Sequence, residues 1–325
     1  MPSQAELIVD TRNATGESPV WIAAEQALYW VDIPNQQLLR WRAVDQQLDR
    51  WTGDQMLACI ACRQGADNRW VAGMESGLFE IAPQDDGSLA ATPIAHVAHE
   101  HAGMRFNDGR CDRQGRFWAG TMVQDMAAGI AAGALYRLDG DGEPQSVLRG
   151  FIVPNGLGFS PDGRTMYLSD SHPSVQNIWA FDYDTDSGTP TNRRLFVDMS
   201  QYPGRPDGAA VDVDGCYWIC GNDAGLIHRF TPDGRLDRSL AVPVKKPSMC
   251  AFGGSRMDTL FVTSIRPSGD LSDQPLAGGV FALHPGVTGL EEPFFSVKQY
   301  YQAAGSADAS TPATLHPTKT RWRFT

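Results

Sequence analysis

No stretch of this sequence approaches the run of about 18 apolar residues that a membrane-spanning helix requires. The opening residues, MPSQAELIVDTRN, offer neither a basic segment nor an apolar core, so no secretory leader is expected. Basic residues are in deficit. The 27 Lys and Arg against 38 Asp and Glu give a formal charge of −11, which argues against nucleic acid or an anionic membrane surface as partner. A small neutral molecule or a cation remains compatible with that charge. Cysteine is scarce, six in 325 residues, and without a leader this points to reduced thiols in the cytoplasm rather than a disulfide framework. In that setting the sequon Asn13-Ala14-Thr15 carries little meaning. Helical periodicity is missing as well, since no segment of ten residues reads convincingly as a helix.

Turn formers, by contrast, are plentiful: 33 glycines and 21 prolines suit many short strands. A pattern recurs, a turn followed by a short strand with a central aromatic: ALYWVD around Trp30, NRWVAG around Trp70, GRFWAG around Trp118, TMYLSD around Tyr167, CYWICG around Trp218 and TLFVTS around Phe261. The aromatics are spaced by 40, 48, 49, 51 and 43 residues, roughly the period of a four-stranded propeller blade. A second strand follows each copy, at 37–42, 77–82, 133–139, 177–184, 225–230 and 279–284. Another precedes it, at 18–23, 57–62, 109–112, 156–160, 208–213 and 248–253. Six such units predict an all-β, six-bladed β-propeller in one domain over residues 1–295. The N-terminal strand ELIVD (6–10) is expected to pair with the last blade and close the ring, leaving no exposed edge. Residues 296–325, rich in Ala, Ser, Thr and Pro, are expected to form a disordered tail.

Stepping back 11 to 13 residues from each aromatic reaches Glu17, Leu57, Asn107, Asn155, Asp207 and Ser248, five of them polar. Each flanks the strand that should be innermost in its blade, so Glu17, Asn107, Asn155 and Asp207 should face one another at one end of the channel. Two carboxylates brought together there repel unless a cation or a proton intervenes. An all-oxygen donor set suits Ca²⁺, Mg²⁺ or Mn²⁺ and does not exclude Zn²⁺ or Fe²⁺. Taken singly, Pro154-Asn155-Gly156 and Pro206-Asp207-Gly208 could each be no more than a turn; their shared position in the repeat favours a site.

The segments GESPVW (16–21), RFNDGRCDRQGRFWAGTM (105–122), PNGLGFSPDGRTMYLSDS (154–171) and RPDGAAVDVDGCYW (205–218) resemble the signatures of the gluconolactonase, regucalcin and senescence-marker-protein family, over about residues 6 to 290. The resemblance implies a six-bladed propeller that binds one divalent metal and hydrolyses sugar lactones. It places the metal on Glu17, Asn155 and Asp207 and the substrate on Arg105 and Asn107. A further substrate-contacting glutamate of members such as regucalcin falls on Asp125, one methylene shorter, which points to a change of preferred lactone.

A lactone is a cyclic ester, so its hydrolysis needs a polarised carbonyl, an activated water and a stabilised oxyanion. Asp207 is the expected general base, with Arg105 and Asn107 orienting ring hydroxyls. His172 is a further candidate for substrate contact at the channel mouth, a structural role being equally open. The expected partner is a small sugar lactone, with the chain a monomer or weak homo-oligomer. A non-catalytic propeller binding calcium or a protein partner stays open, as does an ester hydrolase of the same architecture. Arg105-Phe106-Asn107 beside the ligand set favours an enzyme, because a structural metal needs no substrate-orienting groups. His96, His99 and His101 lack the flanking ligands of a zinc site, and Cys59 and Cys62 point to opposite faces of a strand. The segment DYDTDSG (182–188) has its glycine displaced and Arg193 where a calcium loop needs a glutamate, so it reads as a turn.

Overall fold

The computed structural model describes residues 4–66, 68–140 and 142–296, and the expected tail from 297 onward lies outside them. After β1 (Glu6–Val9), the first sheet holds β2 (Gly16–Ile22), β3 (Ala27–Asp32), β4 (Gln37–Arg42) and β5 (Leu48–Thr52). The second holds β6 (Leu57–Cys62), β7 (Trp70–Met74), β8 (Gly77–Pro83) and β9 (Leu89–His96). The third holds β10 (Met104–Cys111), β11 (Phe117–Val123), β12 (Gly133–Leu138) and β13 (Gln145–Phe151). The fourth holds β14 (Pro154–Phe159), β15 (Thr165–Asp170), β16 (Asn177–Asp184) and β17 (Thr189–Asp198). The fifth holds β18 (Arg205–Val211), β19 (Tyr217–Asn222), β20 (Leu226–Phe230) and β21 (Leu236–Ala241). The sixth draws on both ends of the chain: β22 (Pro247–Gly253), β23 (Thr259–Ser264) and β24 (Val280–Leu283) are completed by β1.

The six sheets are antiparallel, and their first strands neighbour one another in chain order, with β22 returning to β2. This is the expected six-bladed propeller. Closure is also as expected, with Glu6 opposite Ala282 and Leu7 opposite Phe281. The repeated aromatics are blade core. Trp30, Trp70, Trp118 and Trp218 are fully buried, and ring pairs such as Tyr29–Trp70 (4.5 Å) and Trp218–Phe252 (5.9 Å) bridge adjacent blades. Buried aspartates satisfy two of the indoles. Asp112 accepts from Trp118 Nε1 (3.5 Å) and Asp212 from Trp218 Nε1 (2.8 Å).

Five of the six first strands begin earlier than their periodicity suggests, β10 at Met104 rather than 109 and β18 at Arg205 rather than 208, whereas β6 begins at Leu57 as expected. The reason is a β-bulge near the start of every one of them. Register with the second strand shifts between Glu17 and Val20, Leu57 and Cys59, Phe106 and Gly109, Asn155 and Gly158, Pro206 and Ala209, and Pro247 and Cys250. An extra residue on one strand breaks the apolar alternation and re-aims the side chains beside it. In the fourth blade the bulge is built around Gly156, whose φ of 62° lies in the left-handed region that glycine adopts without a steric penalty. Bulge residues also tie blade to blade. Ser18 Oγ accepts from Ile60 N (3.0 Å), Asp108 Oδ2 from Leu157 N (2.9 Å), and Ser248 Oγ donates to Gly16 O.

Beyond β24 the chain runs as a strap across the opposite ends of the first strands. Thr288 O accepts from Val213 N (3.1 Å), Glu291 O from Arg113 Nη1 (3.1 Å) and Cys62 O from Phe295 N (2.7 Å), while Ser296 N donates to Gly115 O (2.9 Å). Phe295 is buried in the core with β6 and β10 residues. Inside the channel Arg110 donates to Ala209 O across the ring (2.6 Å) and faces Glu292 of the strap at 3.6 Å. The DYDTDSG segment is the turn it was expected to be. Its carbonyls are held by arginines: Thr185 O and Asp186 O by Arg116 (2.7 Å each), Ser187 O and Gly188 O by Arg137 (2.8 and 2.5 Å).

Candidate functional site

At the bulged end of the first strands lies a cavity of ≈ 250 Å³. Its wall carries Glu17 from β2, Arg105 and Asn107 from β10, Asn155 from β14, and Arg205 and Asp207 from β18, together with Ser171, Asn222 and Lys246. The apolar share comes from residues such as Ile33, Met122, Met126, Val153 and Ile265. The four polar residues expected to meet thus do line one space, although not from one strictly equivalent position. Glu17 and Asn155 are the last paired residues before the bulge, whereas Asn107 and Asp207 are the first residues inside it. The two remaining ring positions stand off the wall. Leu57 is fully buried in the core, and Ser248 is engaged by Gly16 O and by Thr263 Oγ1 (3.0 Å).

Asparagine side chains lock the ring. Asn107 Nδ2 donates to Asn155 Oδ1 (3.1 Å) and to Pro154 O (3.0 Å), while Asn155 Nδ2 donates to Ser171 Oγ (2.7 Å). Arg105 Nη1 donates to Asn107 Oδ1 (2.9 Å) and Phe106 O (2.7 Å). Asn222 Nδ2 holds Asp207 Oδ2 (2.6 Å), and Glu17 Oε2 accepts from Ser18 N (3.2 Å). Burial, followed by the nearby Asp207 and Asp108 carboxylates, holds the Glu17 carboxyl well above the usual range. Burial pushes Asp207 up to about 7 against the opposing pull of its Asn222 bond and of Arg205. Asp108, next to Asn107, is raised by burial too, and its Oδ1 has no hydrogen-bond partner. Burial lowers the Arg105 guanidinium to about 10.

Several buried carboxylates raised together, chiefly by burial, mark a side of the cavity that a bound cation would stabilise. Glu17, Asp207 and the carbonyl oxygen of Asn155 are hard oxygen donors that fit a divalent cation. Among the described residues no three His, Cys, Asp or Glu side chains could hold a metal ion, so a site here needs the neutral amide. His99 instead bonds Glu75 O (2.9 Å), and all six cysteines are free. Asn13 is buried at 1% exposure, which removes its sequon from consideration.

Asp125 and His172 are not on the cavity wall. Asp125 is exposed at the start of a 3-10 turn (Met126–Ala128). His172 sits beside that turn, its ring nitrogens engaged by Ser174 Oγ (2.7 Å) and Met126 O (3.2 Å). Sequence reasoning did not single out Asn222, Ser171, Arg205, Lys246 or Asp108. A signal existed for Asn222, which ends β19 as Asp32 ends β3 and Asp170 ends β15.

Comparison with known proteins bears on this cavity. The family model described as the SMP-30/Gluconolactonase/LRE-like region matches residues 15–266, which include every wall residue but Pro267. The chain is 36% identical over 301 residues to a 6-deoxy-6-sulfogluconolactonase of Pseudomonas putida, covering 91% of this chain and all of that one. It is 33% identical over 294 residues to regucalcin of Danio rerio, covering 88% and 95% of the two chains. Among solved structures it superposes on a calcium-binding regucalcin from Agrobacterium tumefaciens with a TM-score of 0.83 at 26% identity, over 91% of this chain and 98% of that one. A gluconolactonase from Xanthomonas campestris gives a TM-score of 0.65 at 25% identity, over 86% and 89%. The family match over most of the length, with full-length relatives above 30% identity, establishes that the chain belongs to the SMP-30/gluconolactonase/LRE-like family.

Proposed function

We propose that this protein hydrolyses a sugar lactone to its open-chain acid in a reaction that depends on a divalent metal ion held by Glu17, Asn155 and Asp207. The observation that carries this reading is the meeting of two buried carboxylates, an amide oxygen and the Arg105–Asn107 pair on one small cavity. Relatives named as lactonases support it, the Pseudomonas one for a sulfonated gluconolactone. When bound, the ion supplies charge neutralisation at the carboxylates and polarisation of the lactone carbonyl. Asp207, steadied by Asn222, takes the proton of the attacking water. Asn107 spends both amide hydrogens on Asn155 and Pro154 and accepts from Arg105 Nη1, so it sets the guanidinium rigidly with Nε and Nη2 left to donate to ring hydroxyls. Met122, Met126 and Val153 shed water from the apolar side of the ring. Asp125 and His172 act, in this reading, from the rim rather than the wall. The free cysteines suit a reducing compartment, and we assign the protein to the cytoplasm.

The test is acid release from glucono-, galactono-, arabinono- and xylono-lactones with Ca²⁺, Mg²⁺, Mn²⁺ or Zn²⁺ and with EDTA. Metal-dependent turnover of at least one lactone is expected, and Asp207→Ala should abolish it while leaving the melting transition in place. Relatives named regucalcin, one of them described as calcium-binding, favour a second reading as a calcium binder without turnover. Calcium binding with no acceleration on any lactone would select that reading.

A further inference from the structure

We infer that the lactone taken by this site carries an anionic group, a carboxylate, sulfonate or phosphate ester, remote from its ring carbonyl and held by Arg205 and Lys246. The inference rests on the lactonase reading above and adds the chemical class of the substrate.

Three cations, Arg105, Arg205 and Lys246, line the cavity in a chain whose net charge is −11, so a cationic wall is not what composition alone would deliver. Arg105 Nη1 is engaged by Phe106 O and Asn107 Oδ1, and the rest of that guanidinium is the part assigned to ring hydroxyls. The other two form a unit. Each directly precedes a proline, Pro206 or Pro247, and those prolines are the last ladder positions before the bulges of neighbouring blades. Arg205 and Lys246 are therefore equivalent residues on adjacent first strands. A following proline disfavours the helical region and holds each of them extended. Asp223 bridges them, bonding Arg205 Nε (2.7 Å) and Lys246 Nζ. One carboxylate between two cations leaves a positive charge over.

The Arg205 fork is fixed further by Ser171 O (3.2 Å) and by Asn222 Oδ1 (3.5 Å). Its side chain is 21% exposed and that of Lys246 27%, sheltered yet open to the cavity. Opposing acids on the wall are Glu17 and Asp207, the residues assigned to the metal. With those neutralised, a neutral sugar leaves the Arg205–Lys246 pair half-desolvated with Asp223 balancing only one of its two charges. An anionic terminus instead receives charge-assisted hydrogen bonds from a pre-set fork and ammonium. Arg205 lies two residues along β18 from Asp207, so the anion is held roughly 7 Å of strand away from the reacting end. A hexose chain spans a comparable distance from ring carbonyl to far terminus.

The experiment uses the full chain loaded with the metal that supports turnover. Values of kcat/KM are compared for D-glucono-1,5-lactone, its 6-phosphate, its 6-deoxy-6-sulfonate and a glucaric acid monolactone. At least one anionic substrate should exceed the neutral one by tenfold or more, chiefly through KM, with the advantage shrinking as salt is added. Arg205→Met and Lys246→Met should each cut the anionic-to-neutral ratio by about 10- to 100-fold, the loss of one charge-assisted hydrogen bond. Arg194→Met, on an exposed strand away from the cavity, should leave the ratio alone. If Arg205→Met does not fold, judged by its melting transition, Lys246→Met decides. A ratio near one in the parent protein, or a ratio unmoved in the folded variants, overturns the anionic class and leaves the lactonase reading standing. Failure to turn over any lactone, neutral or anionic, with any metal overturns the lactonase reading and this inference with it. The fastest of the three anions identifies the group.

Discussion

Asn222 shows how one position acquires a second use. At the ends of the matching strands, Asp32 accepts from Ala14 N and Thr15 N (2.9 Å each), and Asp170 accepts from Ile152 N (2.7 Å) and Val153 N (3.1 Å). Those carboxylates pin the chain as it enters the first strand of their own blade. In the fifth blade the amide donates to Asp207 instead, where a third acid would repel it. The bond favours the charged form of Asp207, so Asn222→Ala should move the acid limb of the kcat/KM–pH profile to higher pH and weaken metal binding. A drop of about 10- to 100-fold is expected, as for other residues that orient a metal ligand. Calorimetric titration and a pH profile check it; an unmoved profile would assign Asn222 to folding alone. Glu17, Asn107, Asn155 and Asp207 could be read from the sequence because each stands just ahead of an apolar strand, and Arg105 only through the family resemblance. Ser171 and Lys246 could not, because their place on the wall is set by how the blades meet rather than by neighbours in the chain, and the signal for Asn222 was its strand-end position alone.

The bulges explain why second and third strands were legible while first and fourth strands were less so. β4 and β16 fall at the bounds their alternation predicts. First strands lose alternation at the bulge, and outer strands such as β13 and β17 are largely solvent-facing, so little apolar patterning marks them. Tight fits accompany the bulges: a Cβ on Gly208 would stand 2.3 Å from Met249 Cγ, so the site strand of the fifth blade packs directly on the sixth. The strap is the other element no pattern announced, since its hydrogen bonds go to four different blades. Its anchor is Phe295, 2% exposed. Phe295→Ala should cost about 3–5 kcal/mol in equilibrium denaturation. If the strap serves the scaffold, turnover well below the melting transition should persist in that variant.

At the scale of the whole molecule, the buried carboxylates of the site cost stability, and on the metal-site proposal a bound ion would restore it. The folded value of Asp207 lies near 7 and its ordinary value is 3.8, so between these the folded state holds a proton that the unfolded chain has released. That contribution is fully present below about 3.8 and is lost as pH rises through 7. Glu17, raised in the same direction, adds to it. Metal-free protein should therefore melt at a higher temperature at pH 6 than at pH 8. A divalent ion competing for the same oxygens should reverse the order, binding more tightly at pH 8 and stabilising by about 2.7 kcal/mol at a hundred times its Kd. Scanning calorimetry with EDTA and with metal checks both signs; no change of order would remove the carboxylate pair as the metal's seat. The far end of the channel, meanwhile, is occupied by Arg110 and Glu292 and crossed by residues 288–296. Among the described residues, that leaves the bulged end as the way into the cavity. On the lactonase proposal, the acid made from a lactone backs out along the path the lactone took, past the same cations, and leaves before the next molecule can enter. Such a layout makes product a competitor of substrate.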